Sequence, residues 1–452
     1  MTTFRDSLIR MMSSDWLVYV IVSATIICVS LETGIIRVSG FENTGISTYT
    51  LFFVGLSIFC IISQIIIVRF VGNKVNKSLV STAHSHLSKM KKLILVVQLG
   101  ITGLIILILF QIMLTYSYQT VILIAILALS FLTAAFITAL LSWKFIMWLK
   151  LHKNRVIMMY LIASLFISMS AISGVVYFLN QLLDQPAVVH AKEYADFVRH
   201  VATGNSSLVY YYTVFSVVAF VFLWLGTVFL LNGYRKKIGN IKYWVIITIP
   251  LLYFLSQFEP AILNFLLSYA VDNPTLFNII YIVMVHASRP IGGVLFGFAF
   301  IVVARKVQNP QVKGYLIVAG IGLLIMLVSY QAQTLITTPF PPLGLLSASY
   351  FGLSSYLIFV GIYSCALSIS QDSMLRSTIR RAVETEVSFL KGIGNAEMNH
   401  RIFEKVLVTS RKISEIMPEE TGVSSSLTDK EIKEYVQAAL ALALKNKVKN
   451  VK

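Results

Sequence analysis

Long apolar runs alternate with short polar connectors from residue 16 to residue 370. A helix of about 20 apolar residues crosses a hydrocarbon core of about 30 Å. Backbone groups inside lipid must pair within their own segment, so runs of this length predict helices rather than strands. There are ten runs, at residues 16–31, 50–71, 93–116, 120–145, 156–183, 208–234, 243–257, 275–304, 315–330 and 343–370. The predicted fold is therefore all-α, a polytopic membrane helix bundle of about ten spans.

The charges of the connectors alternate along the chain. Connectors after even-numbered runs carry Lys and Arg without any Asp or Glu, whereas those after odd-numbered runs hold acids and few bases. Short basic loops stay on the cytoplasmic side of a membrane. Ten spans with both termini in the cytoplasm satisfy every connector, and the expected location is the plasma membrane. The bases concerned are Lys74, Lys77, Lys89, Lys91, Lys92, Lys150, Lys153, Arg155, Arg235, Lys236, Lys237, Lys242, Arg305, Lys306 and Lys313.

The composition agrees with this interpretation, because 57% of the residues are hydrophobic and only 13% are charged. The formal net charge is +17, from 37 Lys and Arg against 20 Asp and Glu. Such an excess is also typical of proteins that bind nucleic acids. Here many of the bases lie in short connectors, where membrane orientation requires them. We therefore expect no nucleic-acid partner, and a lipid bilayer with anionic headgroups as the partner instead.

The composition changes abruptly after residue 370, and the chain divides into five segments. Residues 1–15 are predicted to form a cytoplasmic N-terminus and residues 16–370 the helix bundle. The pattern then predicts amphipathic cytoplasmic helices over 371–417 and a linker over 418–427. A final helix is predicted over 428–452, because its first residues form a capping box.

The cytoplasmic tail has an apolar stripe that two glycines interrupt. Gly392 and Gly394 predict a break, and Asn395 is a suitable cap for a second helix after it. Each apolar stripe needs an apolar partner. Three partners are compatible with the pattern: a neighbouring tail helix, a second copy of the chain, or a cytoplasmic signalling protein.

Glu259, His286 and Arg289 interrupt the apolar pattern around the seventh and eighth runs. At a rise of about 1.5 Å per residue, Glu259 and Arg289 lie about 24 Å and 22 Å from the inner ends of their segments. Both charges therefore reach a similar depth, and Glu32 at the end of the first run reaches a comparable one. An unpaired charge in hydrocarbon costs several kcal/mol, so we expect these groups to pair. The pair is either a ligand or coupling site, or a structural ion pair.

The connector after the fifth run contains a weaker candidate, a metal site. His190, Glu193 and His200 recur at helical spacing, and imidazole and carboxylate groups bind transition metals. The alternative is a short interfacial helix with Val188 and Val189 against the membrane.

Motifs for catalysis are missing from the sequence. There is no GxxxxGK[ST] phosphate loop and no HExxH metal motif. Arg401 follows His400 where sensor kinases carry an acid, so His400 does not predict a phospho-acceptor site. We therefore predict no enzymatic activity and no cofactor. Gln64 and Gln98, inside apolar runs, are expected to form hydrogen bonds between helices rather than to bind ligands.

The last quarter of the chain contains four distinctive segments: Thr338-Pro-Phe-Pro-Pro-Leu-Gly, Ser354-Ser-Tyr-Leu-Ile-Phe-Val-Gly-Ile-Tyr-Ser, Ser368-Ile-Ser-Gln-Asp and Leu390-Lys-Gly-Ile-Gly-Asn-Ala-Glu-Met398. In these segments the chain resembles an uncharacterised archaeal family of multi-span membrane proteins with short helical cytoplasmic tails. The resemblance implies an archaeal plasma membrane and a membrane domain coupled to the tail.

Three functions fit these observations. The first is a membrane sensor that passes a signal from the outer half of the bundle to the cytoplasmic tail. The second is a secondary transporter of a small solute that uses Glu259, His286 and Arg289. The third is an assembly or scaffold subunit without a ligand of its own.

Overall fold

The computed structural model describes most of the chain as helices. The described residues are 15–34, 46–78, 84–183, 185–190, 206–260, 287–330, 340–371 and 388–421, with single residues at 262, 264, 265, 273, 280, 284 and 431. The longer helices are α1 Asp15–Gly34, α2 Ile46–Ser78, α3 His84–Thr115, α4 Thr120–Leu151, α5 Arg155–Leu183, α6 Ser206–Leu231, α8 Asn240–Ser256, α9 Ser288–Lys306, α10 Pro310–Ser329, α11 Leu345–Gln371 and α12 Ser388–Thr421. A 3₁₀ turn, Asn232–Tyr234, and the short α7, Arg235–Ile238, lie between α6 and α8.

Each of the ten predicted runs overlaps one of these helices, so the all-α prediction is confirmed. Within the described part of the chain, eight helices are long and apolar enough to cross a membrane. The apolar helices Tyr19–Glu32 and Asn240–Ser256 are shorter. Bulky side chains such as Leu51, Val96 and Trp143 are more than 60% exposed on the outer faces of α2, α3 and α4. An apolar exterior of this kind suits lipid, and the eight candidate spans indicate a multi-pass membrane protein.

The centre of the bundle is α11, which is buried along almost its whole length. It packs against α1, α2, α3, α4, α10 and α12. Small residues allow these close approaches. A Cβ atom added at Gly361 would lie 2.6 Å from the backbone nitrogen of Ala319, and one added at Gly322 would lie 2.8 Å from the backbone nitrogen of Ile358. Interfaces between membrane helices favour such residues because no side chain separates the backbones.

Two ends of the bundle can be distinguished by their contacts. At the first, which we call the Glu32 end, the last turn of α1 meets the first turn of α11. A ribbon of two antiparallel strands, β1 Ser117–Gln119 and β2 Val188–His190, also lies there, because Tyr118 stacks on Phe340. At the second, the α12 end, α12 packs on α4, α5 and α11.

The tail does not break at its glycines, because α12 is continuous from Ser388 to Thr421. A Cβ atom at Gly392 would lie 2.8 Å from Asn154 Nδ2, and one at Gly394 would clash with Ile369 Cγ2. The prediction of a helix boundary here was wrong, because the glycines serve close packing rather than chain termination. The helix also enters the segment predicted as a linker. Of the final predicted helix, residue 431 alone is described.

Candidate functional site

The carboxylate of Glu32 lies against the N-terminus of α11. Glu32 is fully buried, and its two oxygens accept hydrogen bonds from the backbone N–H groups of Gly344 (2.8 Å), Leu346 (3.1 Å) and Ser347 (3.1 Å). The Ser347 hydroxyl donates a fourth bond at 3.3 Å. The first N–H groups of any helix lack partners within the helix, and its dipole attracts negative charge. Glu32 therefore caps α11 from another part of the chain.

The sequence before α11 explains why the cap comes from elsewhere. Pro341 and Pro342 precede the helix, and neither has an N–H group to donate. Gly344 adopts a positive φ of 96°, a conformation that favours glycine. Leu343 and Leu345, which flank Gly344, have no side-chain oxygen with which to cap the helix.

A strip of polar side chains continues from Glu32 into the bundle, and we call it the polar strip. Gln64 donates to the Ser349 hydroxyl at 2.7 Å, and Gln98 donates to Gln64 Oε1 at 2.8 Å. The Tyr350 hydroxyl donates to the carbonyl of Cys60 at 2.9 Å. These bonds join α2 and α3 to α11, so Gln64 and Gln98 form hydrogen bonds between helices, as expected. Thr25 and Ser63 add a hydroxyl pair between α1 and α2.

Arg289 lies in the first turn of α9 and is only 9% exposed. Its guanidinium donates to the carbonyl of Tyr330 at 2.7 Å and to the Ser216 hydroxyl at 3.3 Å. Its Cζ atom lies 5.3 Å from the centroid of the Tyr330 ring. The Tyr212 hydroxyl donates to the same Tyr330 carbonyl at 3.4 Å. Arg289 is thus held by neutral groups from α6 and the end of α10.

Arg289 does not meet the acids that were expected to pair with it. Glu259 is exposed, and its backbone N–H donates to the carbonyl of Ser256 at 3.3 Å. Glu32 is occupied by the N-terminus of α11. The depth estimate for Glu259 assumed a continuous helix, but α8 ends at Ser256, so a rise of 1.5 Å per residue does not apply beyond it. Across the described residues, no carboxylate lies within ion-pair distance of Arg289.

A small cavity of about 10 Å³ lies beside Arg289. Its polar lining consists of Arg289, Ser216 and Tyr330, and the remaining lining residues are Ile167, Ala219, Phe220, Leu223, Met326 and Leu327. The Tyr330 hydroxyl is buried and interacts with the side chain of Ser170, which does not line the cavity. The cavity therefore combines a cation, the Ser216 hydroxyl and an apolar wall.

The predicted metal ligands are mostly outside the described residues. His190 is exposed in β2, opposite Ser117 of β1. The strand replaces the short helix expected at Val188 and Val189, and the Thr120 N–H extends the pairing with a bond to the carbonyl of Ala187 at 3.0 Å. Where the chain is described, no three potential metal ligands lie together. His286, Glu193 and His200 fall on residues that the structure does not describe, and the metal site stays a prediction.

Glu397 at the α12 end is a buried charge that the sequence reasoning missed. It is 2% exposed, accepts a hydrogen bond from the Trp148 indole N–H at 3.0 Å, and lies 3.4 Å from Arg401 Nε. The spacing of Glu397 and Arg401, four residues apart, was a local signal for this pair. Burial and the nearby Lys391 lower the pKa of His152, which lies in the connector between α4 and α5.

No family model, no curated protein and no solved structure matches the chain. Function must therefore be inferred from the geometry of the two ends and of the helix between them.

Proposed function

We propose that the protein is a plasma-membrane sensor, in which α11 carries a change at the Glu32 end to α12 in the cytoplasm. In this proposal the chain has ten spans and both termini are cytoplasmic, so the Glu32 end faces outwards. The observation that supports it most is the arrangement of α11. The most buried helix of the bundle has its N-terminus capped by a side chain from α1 and its C-terminal part packed against α12.

Glu32 can hold or release the first turn of α11, and we call this contact the latch. Three backbone donors and one hydroxyl depend on a single side chain, so moving that side chain frees the first turn of α11. Hydrogen bonds to charged groups contribute about 1.5–3 kcal/mol each. A ligand or a change of charge that displaced Glu32 would therefore act strongly on α11.

The contact at the α12 end is too tight to absorb such a movement locally. The Gly394 backbone lies directly against Ile369 of α11, and Phe389 packs edge-on against Phe300 of α9 with centroids 6.0 Å apart. A shift of α11 must therefore either move α12 or leave a gap. The second half of α12 carries exposed side chains, including Val408. A cytoplasmic signalling protein or a second copy of the chain would bind there.

Hydrogen exchange measured by mass spectrometry tests the coupling in the purified full-length protein. We expect Glu32→Gln to raise exchange in peptides covering residues 344–350 and also in those covering 389–397. The matched control is Glu259→Gln, which neutralises an exposed acid and should change neither region. Faster exchange at 344–350 with unchanged exchange at 389–397 would mean that release of the first turn of α11 does not affect α12. The sensor proposal would then fail.

Cysteine labelling tests the orientation in a variant without Cys28, Cys60 and Cys365. Single cysteines at Asn240 and Ser425 should label only from the cytoplasm, and one at Asn205 only from outside. External labelling of position 240 would overturn the ten-span topology, because residues 235–242 carry four bases and no acid.

A secondary transporter of a small solute is the second candidate, supported by the buried charge of Arg289. Charged groups inside membrane proteins often mark substrate or ion pathways. Uptake into proteoliposomes separates the two functions. Gradient-driven flux that Arg289→Ala abolishes, and Arg305→Ala does not, would support the transporter and reject the sensor. If no flux is measured and hydrogen exchange shows no coupling to α12, the remaining function is that of a scaffold subunit.

A further inference from the structure

The surroundings of Arg289 leave its positive charge uncompensated within the described residues. A guanidinium stays charged at all physiological pH values. Its described partners, the Tyr330 carbonyl and the hydroxyls of Ser216 and Tyr212, are neutral. Arg289 also lies in the first turn of α9, where the helix dipole disfavours a cation, and no side chain caps that helix end. A partner of opposite sign would stabilise a buried charge in such a setting.

The groups around the cavity offer hydrogen-bond donors to such a partner. The Ser216 oxygen accepts from Arg289, so the hydroxyl proton of Ser216 is free to donate. Tyr330 also lines the cavity, but its hydroxyl interacts with the Ser170 side chain, which does not. The guanidinium has five N–H groups, more than its three described acceptors use. Donors without a described acceptor are thus present on Arg289 and Ser216.

The size of the cavity restricts what can occupy it. About 10 Å³ is close to the smallest space that holds one water molecule. A monatomic ion fits after small side-chain shifts, whereas a solute with a carbon skeleton does not. Water would satisfy hydrogen bonds but, unlike an anion, would not balance the charge that the described residues leave on Arg289.

We propose that this cavity binds a monatomic anion of the chloride class, held by Arg289 and by the hydroxyl of Ser216. The anion neutralises Arg289 and joins α6 and α9, which supply the two groups. The site goes beyond the sensor proposal and does not depend on it, because a sensor, a transporter or a scaffold can each contain a structural halide.

The test compares chloride with gluconate at constant ionic strength, using the purified full-length protein in detergent. We expect the unfolding temperature to rise with chloride in a saturable manner, as linkage requires for a ligand of the folded state. Equilibrium binding of radioactive chloride should saturate over the same concentration range. Arg289→Gln should abolish both effects, whereas the control Arg305→Gln, at the exposed opposite end of α9, should retain them.

A milder variant keeps the proposal falsifiable if Arg289→Gln does not fold. Ser216→Ala preserves the charge and should weaken chloride binding about tenfold, the scale of one lost hydrogen bond to a charged group. Unchanged affinity would overturn the assignment of Ser216. Equal unfolding temperatures of the native protein in chloride and gluconate, with no bound chloride, would overturn the site itself. Stabilisation by acetate equal to that by chloride would overturn the halide class.

Discussion

The two ends of the bundle each contain a buried glutamate, and the two glutamates are satisfied in different ways. Glu32 receives its described hydrogen bonds from neutral donors, all on the first residues of α11 or just before it. Glu397 accepts from the Trp148 indole and lies beside Arg401, which is partly exposed. Glu32 therefore depends on the position of one helix end, whereas Glu397 keeps its cation on its own helix. The Glu32 contact is the one that movement of α11 must break.

The largest effect should come from Glu32→Ala. Three buried N–H groups at the start of α11 would lose their acceptor, and unsatisfied buried donors cost about 1–3 kcal/mol each. We expect a loss of about 3–5 kcal/mol in the free energy of unfolding, measured by denaturant titration in detergent. Glu32→Gln retains one acceptor oxygen and should lose less. If Glu259→Gln, which changes an exposed acid, were equally damaging, the loss would not be specific to the cap of α11.

A smaller effect is expected from Gly394→Ala at the other end of α11. The added Cβ would clash with Ile369, and overpacking of this kind costs about 1–3 kcal/mol. Gly103→Ala is the control, because a Cβ there meets no atom within 4 Å and alanine favours helices. Ile369→Ala in the Gly394→Ala background should restore the slow hydrogen exchange of residues 389–397. Failure of this rescue would show that the two residues do not set the contact.

The bond between Trp148 and Glu397 should contribute about 1–2 kcal/mol, since its acceptor is charged and both groups are buried. A double-mutant cycle with Trp148→Phe and Glu397→Ala measures this coupling through the free energy of unfolding. A second cycle, with Glu397→Ala and Arg401→Gln, should give a coupling free energy of less than about 1 kcal/mol, because Arg401 is partly exposed to solvent. A larger coupling free energy with Arg401 than with Trp148 would mean that Glu397 is stabilised mainly by a partly exposed ion pair. The contrast with Glu32 would then be wrong.

The smallest effect concerns His152, whose pKa in the folded protein is lowered by burial and by Lys391. The unfolded chain therefore binds a proton more readily, and stability that is present above the ordinary histidine pKa of about 6.5 is lost as the pH falls below it. The ring is only half-buried, so we expect less than about 1 kcal/mol. Unfolding temperatures at pH 8 and pH 5.5 should differ less in Lys391→Gln than in the native protein. If the unfolding temperature changed equally with pH in both proteins, Lys391 would not contribute to the lowered pKa of His152.

The sequence predicts the helices well because lipid permits few alternatives. Each apolar run must satisfy its own backbone, so run length and polarity are enough to place a helix. The ends of those helices are predicted less well, because a helix can continue into a polar connector. Helix α2, for example, extends from Ile46 to Ser78, beyond both ends of the apolar run at residues 50–71.

The partners of the buried charges could not be predicted from the sequence. Glu32 was recognised as an unusual charge, but its acceptor role involves residues more than 300 positions away. A backbone N–H carries no residue-specific signal that sequence reasoning can detect. Gly394 illustrates the same limit, because a glycine that ends a helix and a glycine that allows close packing look alike until the neighbouring helix is known.

The central position of α11 has a consequence for biosynthesis. Ribosomes make α1, α2, α3, α4 and α10 before α11, so the surfaces that later surround α11 are in place while the helix itself is still missing. Until it arrives, Gln64 and Gln98 lack the Ser349 hydroxyl that completes their chain of hydrogen bonds. The membrane domain therefore cannot finish folding until the last quarter of the chain has been inserted, and nascent chains that stop short of residue 345 leave a polar groove facing lipid.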